Sequence, residues 1–391
     1  MSTAPHIMFA GGGAAGQVFP GIAIASHLAE LIPQANITFA GPGKSREKHS
    51  VRSAGYHYLV IPAQPLPRNP MQAIRFVTDN VAGYCAAKWM LREQRVSLVV
   101  GLGGYTSTAV VRAAAERAIP FILLEQNAIP SHTTRWLSRA AKMVCAAFEE
   151  IRPHLPVQAA VQVTGNPARP AFEKLFQRLN GSATLIAKDG IISGVDFGKQ
   201  RQKRLVILGG SGGARSINES LPSALQQLKT DLSDWQIVHQ TGEGQLQQTE
   251  ARYRGTGVAA LAVTYIDEIA SVLFASDLVI CRSSGATLAE LAIAGVPAVL
   301  IPYAQAPEDR QLANAKVFAT AKAARIIHED SHPGSLEKTL VRELKPLLVD
   351  ETLRRTMADN MRSFARPHAS ADIAAVIHEV LYGVRSRRLA A

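Results

Sequence analysis

Three times along this chain a short apolar run stops at a cluster of glycines and a helix-patterned stretch follows. His6–Ala10 leads into Gly11-Gly-Gly-Ala-Ala-Gly16, Leu98–Val100 into Gly101-Leu-Gly-Gly104, and Leu205–Leu208 into Gly209-Gly-Ser-Gly-Gly213. A strand buried on both faces reads as a continuous apolar run, and parallel strands need a crossover between them that is usually helical. Strand-like runs at Ile37–Ala40, Tyr58–Ile61, Phe121–Leu124, Met143–Ala146, Gln162–Thr164, Gln236–His239, Leu278–Cys281 and Ala298–Ile301 continue the pattern, with helical periodicity over Val18–Leu31, Thr108–Arg117 and Ile217–Leu228. The strand–glycine loop–helix unit near residue 10 recurs near residue 207. The chain therefore reads as α/β, with two Rossmann-like domains in tandem. Its 391 residues suit two domains of about 150–200 residues each, and 47% apolar content is enough for two cores.

Gly165-Asn-Pro-Ala-Arg-Pro170 carries the punctuation of a hinge. It separates a first domain, 1–168, from a second, 169–365. Residues 178–204 have little periodicity and a basic run, and read as a surface excursion. A last segment, 366–391, contains the apolar-periodic stretch Ala371–Leu381 after Arg366-Pro367.

Several function classes are disfavoured. No run approaches the ~20 apolar residues needed to span a bilayer. The N-terminus lacks a basic n-region and reads as no signal peptide. Cys85, Cys145 and Cys281 form neither a metal-ligand pattern nor a disulfide framework, which points to a reducing compartment. The eleven histidines show no zinc spacing, and no Asp-x-Asp occurs, so no metal site is expected and no cofactor is implied. The formal charge is +11, and residues 44–95 hold nine Lys/Arg against three acids, interleaved with Met71, Phe76, Tyr84, Trp89 and Met90. Such a window suits an anionic lipid surface or a solvated helix face; no nucleic-acid motif accompanies it.

Gly11, Gly13 and Gly16 fit G-x-G-x-x-G, but the second strand ends Thr38-Phe-Ala-Gly-Pro42 without the carboxylate that would hold a dinucleotide ribose. The stretch 282–315 is more specific. The strand Leu278–Cys281 runs into Arg282-Ser-Ser-Gly285, a small-residue turn that opens a helix carrying Glu290. Free N–H groups and the helix dipole at such a turn suit a phosphate. A carboxylate one to two turns in suits neighbouring hydroxyls, as on a ribose. Gln311 and Asn314, three apart, share a face of the next helix. This is the layout of a site for a nucleoside diphosphate joined to something polar.

That stretch, with its Asp-x-Gln-x-x-Asn-Ala run at Asp309–Ala315, resembles the donor half of glycosyltransferases that use UDP-sugars, and within them the MurG family, which adds N-acetylglucosamine to lipid I. Gly12-Gly-Ala-Ala-Gly16-Gln17 resembles the family's first glycine loop, usually Gly-Gly-Thr-Gly-Gly-His followed by a proline-containing turn. Gly101–Ser107 resembles the second loop, Glu125-Gln-Asn127 a further motif, Val163–Arg169 the hinge motif, and Gly209–Asn218 the third loop. The matches cover about residues 10–315 in order. Departures are Ala14, Ala15, Gln17, Ser131, Thr134, Gly212 and Ser284. Gln17 matters most, because an amide cannot take a proton where the family carries an imidazole.

The resemblance implies the GT-B glycosyltransferase architecture with an interdomain cleft, the last helix crossing back onto the first domain, and inverting transfer from UDP-N-acetylglucosamine to lipid I. Donor contacts would come from Ala14, Ala15, Gly16, Asn127, Arg169, Ser211, Ile266, the run Gly285, Ala286, Thr287, Leu288, Ala289 and Glu290, and Gln311. Ile266 would meet the uracil by its backbone and Glu290 the ribose. Gly12, Gly13, Gly103, Gly104 and Tyr105 would hold the diphosphate-bearing acceptor. Glu125 is the candidate base, with Gln17 beside it as a hydrogen-bonding group. The same fold with another acceptor, a protein that binds the nucleotide sugar without turnover, and a UDP-N-acetylglucosamine epimerase remain open. The expected setting is cytoplasmic, peripheral on the inner face of the cell membrane, with the 44–95 region against the bilayer.

Overall fold

A computed structural model describes residues 4–12, 15–65, 67, 69–179, 191–192, 195–196, 202–210, 212–304, 309–329 and 334–383. Gly13, Ala14 and Ser211, and most of the expected 178–204 excursion, lie outside them. The chain forms two compact units, one of 1–169 with 366–391 and one of 170–365.

The first unit runs β1 (His6–Gly11), α1 (Ala15–Leu31), β2 (Asn36–Gly41), α2 (Ser45–Ser53), β3 (His57–Val60), α3 (Pro70–Glu93), β4 (Leu98–Gly103), α4 (Tyr105–Glu116), β5 (Phe121–Glu125), α5 (His132–Leu137), β6 (Met143–Ala146) and β7 (Val161–Val163). Its strands form one parallel sheet in the order β3-β2-β1-β4-β5-β6-β7. The second unit runs α6 (Pro170–Leu179), a short antiparallel pair β8 (Ile191–Ile192) and β9 (Val195–Asp196), then β10 (Lys203–Leu208), α7 (Arg215–Gln227), β11 (Trp235–Gln240), α8 (Leu246–Thr256), β12 (Leu261–Val263), α9 (Ile269–Phe274), β13 (Leu278–Cys281), α10 (Gly285–Ala294), β14 (Ala298–Leu300), α11 (Arg310–Thr320), β15 (Ala324–Ile326), α12 (Ser335–Val349) and α13 (Glu351–Arg362). Its parallel sheet is β12-β11-β10-β13-β14-β15.

Both sheets are doubly wound. Chain order reverses between β1 and β4 in one and between β10 and β13 in the other. Ligands of open α/β sheets bind outside the carboxyl ends of the strands at such a reversal. The glycine loops lie there because these four strands end there: Gly11 ends β1, Gly103 ends β4, Gly209 follows β10 and Arg282 follows β13.

The central strands are apolar on both faces, and helices cover both. Ile7 and Phe9 of β1 pack with Val18, Ile22 and Leu28 of α1, while Met8 and Ala10 join the opposite core with Val110 and Val111 of α4. Phe9 stacks on Phe39 at 5.0 Å. His6 is a buried core histidine, its ring nitrogens 2.8 Å from the Gln94 carbonyl and 2.9 Å from the Thr38 hydroxyl. After the second unit, α14 (Ala369–Tyr382) returns to the first, placing Ile373, Ala374, Val376 and Ile377 in the α1 core. The proline-containing turn implied after the first glycine loop is helical here. Pro20 lies inside α1, where the apolar residues around it hold the helix against β1 and β4 despite the missing N–H.

Candidate active site

In the first unit, Gly12 follows β1 at φ 131°, and a Cβ there would meet the Glu47 carboxylate at 2.7 Å. Glu47 projects from α2, is buried, and accepts a hydrogen bond from the Tyr58 hydroxyl at 3.2 Å; that hydroxyl in turn accepts from the Gly43 N–H at 3.2 Å. Burial pushes the Tyr58 phenol up to about 12, against the Gly43 bond and with help from the Glu47 charge. Gly103 (φ 88°) and Gly104 (φ 82°) make the second turn, whose positive φ values favour glycine. Gly104 caps α4, so Tyr105 begins the helix half-buried. The Thr106 and Ser107 hydroxyls in that first turn are buried without a hydrogen-bond partner among the described residues.

Glu125 ends β5. One carboxylate oxygen accepts from the Asn127 N–H at 3.2 Å and the Asn127 side-chain amide at 3.0 Å. The other accepts from the Ser131 N–H at 2.8 Å and the Thr134 hydroxyl at 2.7 Å. A carboxylate has about four lone-pair directions, and four donors fill them. The expectation that Glu125 is the base meets a physical objection: no acceptor direction is left for a substrate proton. The carboxylate is built to hold the 126–134 turn. Gln17 sits in the first turns of α1.

In the second unit, two turns interlock. Gly209 follows β10, Gly213 has φ 75°, and Gly242, after β11, has φ 85°. A Cβ on Gly242 would lie 2.2 Å from the Gly213 nitrogen, and one on Gly209 would lie 2.8 Å from the Gln240 carbonyl. Beneath them Asn218 of α7 donates to the Thr241 carbonyl (2.9 Å) and the Gln245 side chain (2.7 Å), and its carbonyl lies 2.9 Å from His239 Nε2. His239 Nδ1 is 2.9 Å from the Tyr253 hydroxyl, and burial pushes the imidazole down to about 3, so it is neutral.

Past β13, Arg282 reaches the Ile301 carbonyl (3.0 Å) and Glu329 (2.7 Å), and its guanidinium lies 5.4 Å over the Tyr303 ring. The Ser283 hydroxyl donates to the Gln311 carbonyl at 2.7 Å, and the Asn314 amide donates to the Ser283 carbonyl at 3.1 Å. Ser284 caps α10, accepting from the Thr287 N–H at 3.3 Å. Gln311 and Asn314 therefore divide their work. Asn314, fully buried, secures the turn, while Gln311 accepts from the Tyr303 N–H at 3.0 Å and borders a cavity of about 560 Å³. Gly212–Ser216, Arg282, Tyr303 and Glu329 also line it.

Of the other expected donor residues, Glu290 is buried in α10, and Ile266 is buried in the loop before α9. Leu288 is fully buried in α10, so it can offer only backbone. Ala286, Thr287 and Ala289 are half-buried around the start of the helix, where Gly285 is buried. Arg169 is the last residue of the first unit and half-buried; Asn127 is half-buried beside Glu125. Ala15 and Gly16 open α1. Sequence reasoning missed Glu47, the Arg282–Glu329 pair, the His239–Asn218 relay, and Asn166, whose buried amide has no partner among the described residues. Glu47 left one signal, as one of three acids in the basic window.

The pattern described as the Glycosyltransferase family 28 N-terminal domain matches residues 7–146, and the family 28 C-terminal domain matches 204–373. A Geobacter sulfurreducens protein, UDP-N-acetylglucosamine–N-acetylmuramyl-(pentapeptide) pyrophosphoryl-undecaprenol N-acetylglucosamine transferase, is 30% identical over 385 residues, 97% of this chain and 99% of its own length. A Salinibacter ruber protein of the same description is 34% identical over 383 residues, 96% of each chain. The chain belongs to the MurG family. The crystal structure of Acinetobacter baumannii MurG matches with a TM-score of 0.72 at 27% identity, covering 96% of this chain and 99% of that one. A Staphylococcus aureus MnaA–UDP structure, 14% identical with a TM-score of 0.69, shares the fold. The two-domain glycosyltransferase architecture expected of the family is thus present, with one glycine-loop site at the switch point of each sheet.

Proposed function

We propose that this protein moves N-acetylglucosamine from UDP-N-acetylglucosamine to the muramyl sugar of lipid I, giving lipid II for peptidoglycan synthesis. The observation that carries this reading is similarity across nearly the whole chain to transferases whose name states that reaction. The acceptor hydroxyl oxygen bonds to the anomeric carbon as its proton passes to water, the bond from that carbon to the UDP oxygen breaks, and UDP leaves with the electron pair, inverting the centre.

The second unit supplies the donor chemistry in this reading. The start of α10 offers backbone N–H groups to the diphosphate beside the glycines that follow β10, Gln311 faces the sugar hydroxyls from the 560 Å³ cavity, and Glu290 serves the ribose. The charge developing on UDP is met by those fixed dipoles and the Arg282 guanidinium. In the first unit the Gly103-Gly104 turn and α4 receive the acceptor diphosphate, and Glu125 shapes the 126–134 turn so that Asn127 is presented. A hydroxyl attacking an oxocarbenium-like centre asks little of a base, which suits a chain with glutamine at position 17.

The membrane surface is the further partner. α3 exposes Ile74, Val77 and Val81 at i, i+3 and i+7, then Trp89 about two turns on, and Trp136 stands exposed under the Arg112 guanidinium. Ile74 is 73% exposed and Trp89 62%. Exposed apolar side chains on a helix that also carries Arg75, Lys88 and Arg92 fit an anionic bilayer. Among the described residues no helix is long and apolar enough to cross one.

The deciding experiment is transfer of radiolabelled N-acetylglucosamine from its UDP donor to a short-chain lipid I analogue. Product is expected. UDP-sugar binding without product would reassign the chain to another acceptor or to binding alone. Attachment to phosphatidylglycerol vesicles should weaken as salt rises; salt-independent attachment would remove the electrostatic part of the membrane reading.

A further inference from the structure

Glu329 follows β15 and turns its carboxylate into the second unit's cavity. It accepts from Arg282 Nη2 at 2.7 Å, from the Ser216 hydroxyl, and from the Ala304 N–H at 3.4 Å. The two side chains of the ion pair are only 16% and 13% exposed. Arg282 is pinned on its other side by the Ile301 and Pro302 carbonyls, at 3.0 and 3.4 Å, and by the Tyr303 ring. Its Nη2 also donates to the Ser216 hydroxyl at 3.1 Å. Ser216 stands in the first turn of α7, beside Gly212 and Gly213.

A guanidinium, a hydroxyl and a backbone N–H thus converge on one point of the cavity wall, beside the glycine turn, and a carboxylate fills it. Carboxylate and phosphate oxygens ask the same of such a point: two or three charge-assisted donors. A fixed negative charge on the wall of a diphosphate cavity opposes the ligand, and Arg282 cannot serve both anions fully.

We propose that Glu329 is an internal competitor for Arg282, which the donor diphosphate must displace and which reclaims the guanidinium as UDP leaves. The inference rests on reading the cavity as the diphosphate site. Glu329 is then a positioning residue. It holds Arg282 in place, lowers affinity for the UDP product, and speeds its release. Burial raises its carboxyl, but the Arg282, Ser216 and Ala304 bonds outweigh this and hold it below the usual carboxylate range, so the competitor is charged at neutral pH.

The alternative is that Glu329 only splints Arg282, and the two ideas predict opposite signs. Calorimetric titration of UDP and of uridine should be run on wild type and Glu329→Gln. Competition predicts that UDP binds Glu329→Gln tighter by roughly fivefold or more, the low end of ordinary coupling between sites, with uridine unchanged, stronger product inhibition by UDP, and lower kcat without a rise in donor KM. A splint predicts weaker UDP binding, and equal or weaker binding overturns the proposal while leaving the donor site intact. If wild type fails to bind UDP at all, the donor reading falls and the proposal with it. Should Glu329→Gln not fold, Glu329→Asp keeps the charge but shortens its reach. Tighter UDP binding by that variant supports competition, and equal or weaker binding overturns it.

Discussion

Each oxygen of the Glu125 carboxylate accepts two hydrogen bonds, and two of the four donors are Ser131 N–H and the Thr134 hydroxyl. Both are positions where the chain departs from the family pattern, and both side chains take part in the turn: the Thr134 hydroxyl donates to Glu125, and the Ser131 hydroxyl accepts from the Thr134 N–H at 3.2 Å. Glu125→Gln would set an amide NH₂ against donors it cannot accept from, at about 1.5–3 kcal/mol for each charged hydrogen bond lost. The expected outcome is a lower melting temperature and loss of transfer together. Loss of transfer with unchanged melting and a shifted acid limb of the pH profile would restore Glu125 as a base. The Glu-Gln-Asn motif singled the residue out in the sequence. Its role was not legible, because the four donors converge only after residues 127–134 fold back over the end of β5. Asn314 teaches the same lesson. Its spacing from Gln311 put both on one helical face, but only burial shows that one serves the turn and the other the cavity.

Strand–glycine–helix units were readable because each combines a continuous apolar run with residues that tolerate positive φ. β12 and β15 were not. Each has three residues, and Leu261 and Arg325 interrupt the buried pattern. They pair at sheet edges, where register with a neighbour outweighs local composition. What the glycine loops do to each other was also hidden. Gly242→Ala places a methyl 2.2 Å from the Gly213 nitrogen at φ 85°, a backbone clash that flexible side chains cannot relieve. It should cost about 1–3 kcal/mol and weaken UDP binding, because the 209–213 turn must shift; unchanged UDP affinity would separate the turns from the donor site. Below them, the His239 imidazole is held neutral at a folded pKa of about 3 against 6.5 when unfolded. The unfolded chain therefore takes up the proton first as pH falls. Stability from this group is complete above 6.5 and is lost toward 3, by about 2 kcal/mol at pH 5. The ring resonances of His239 should not titrate between pH 8 and 4.5, and a midpoint near 6.5 would contradict the buried relay.

Two doubly wound sheets follow from one sequence rule applied twice, but the units differ in how the chain builds them. Residues 170–365 make the second continuously, whereas the first needs 366–391 as well. The apolar period at Ala371–Leu381 announced a helix; which surface it covers is set by the α1 face it meets. Ile373, Ala374, Val376 and Ile377 lie fully or almost fully buried against Ile24, Ala25 and Leu28. Burying each Ile or Val contributes about 1.5–3 kcal/mol relative to leaving it exposed, and a domain is stable by only about 5–15 kcal/mol. A chain ending at residue 365 loses three such side chains and uncovers their partners, so the first unit should lose most of its stability while the second keeps its own core. Scanning calorimetry with and without UDP tests this. The expected record is loss of the transition that UDP does not shift and survival of the one it does, with amide exchange in β1 and β4 becoming fast. If both transitions persist at their original temperatures, α14 is an ornament on the first unit, and the discontinuous build of that unit carries no energetic weight.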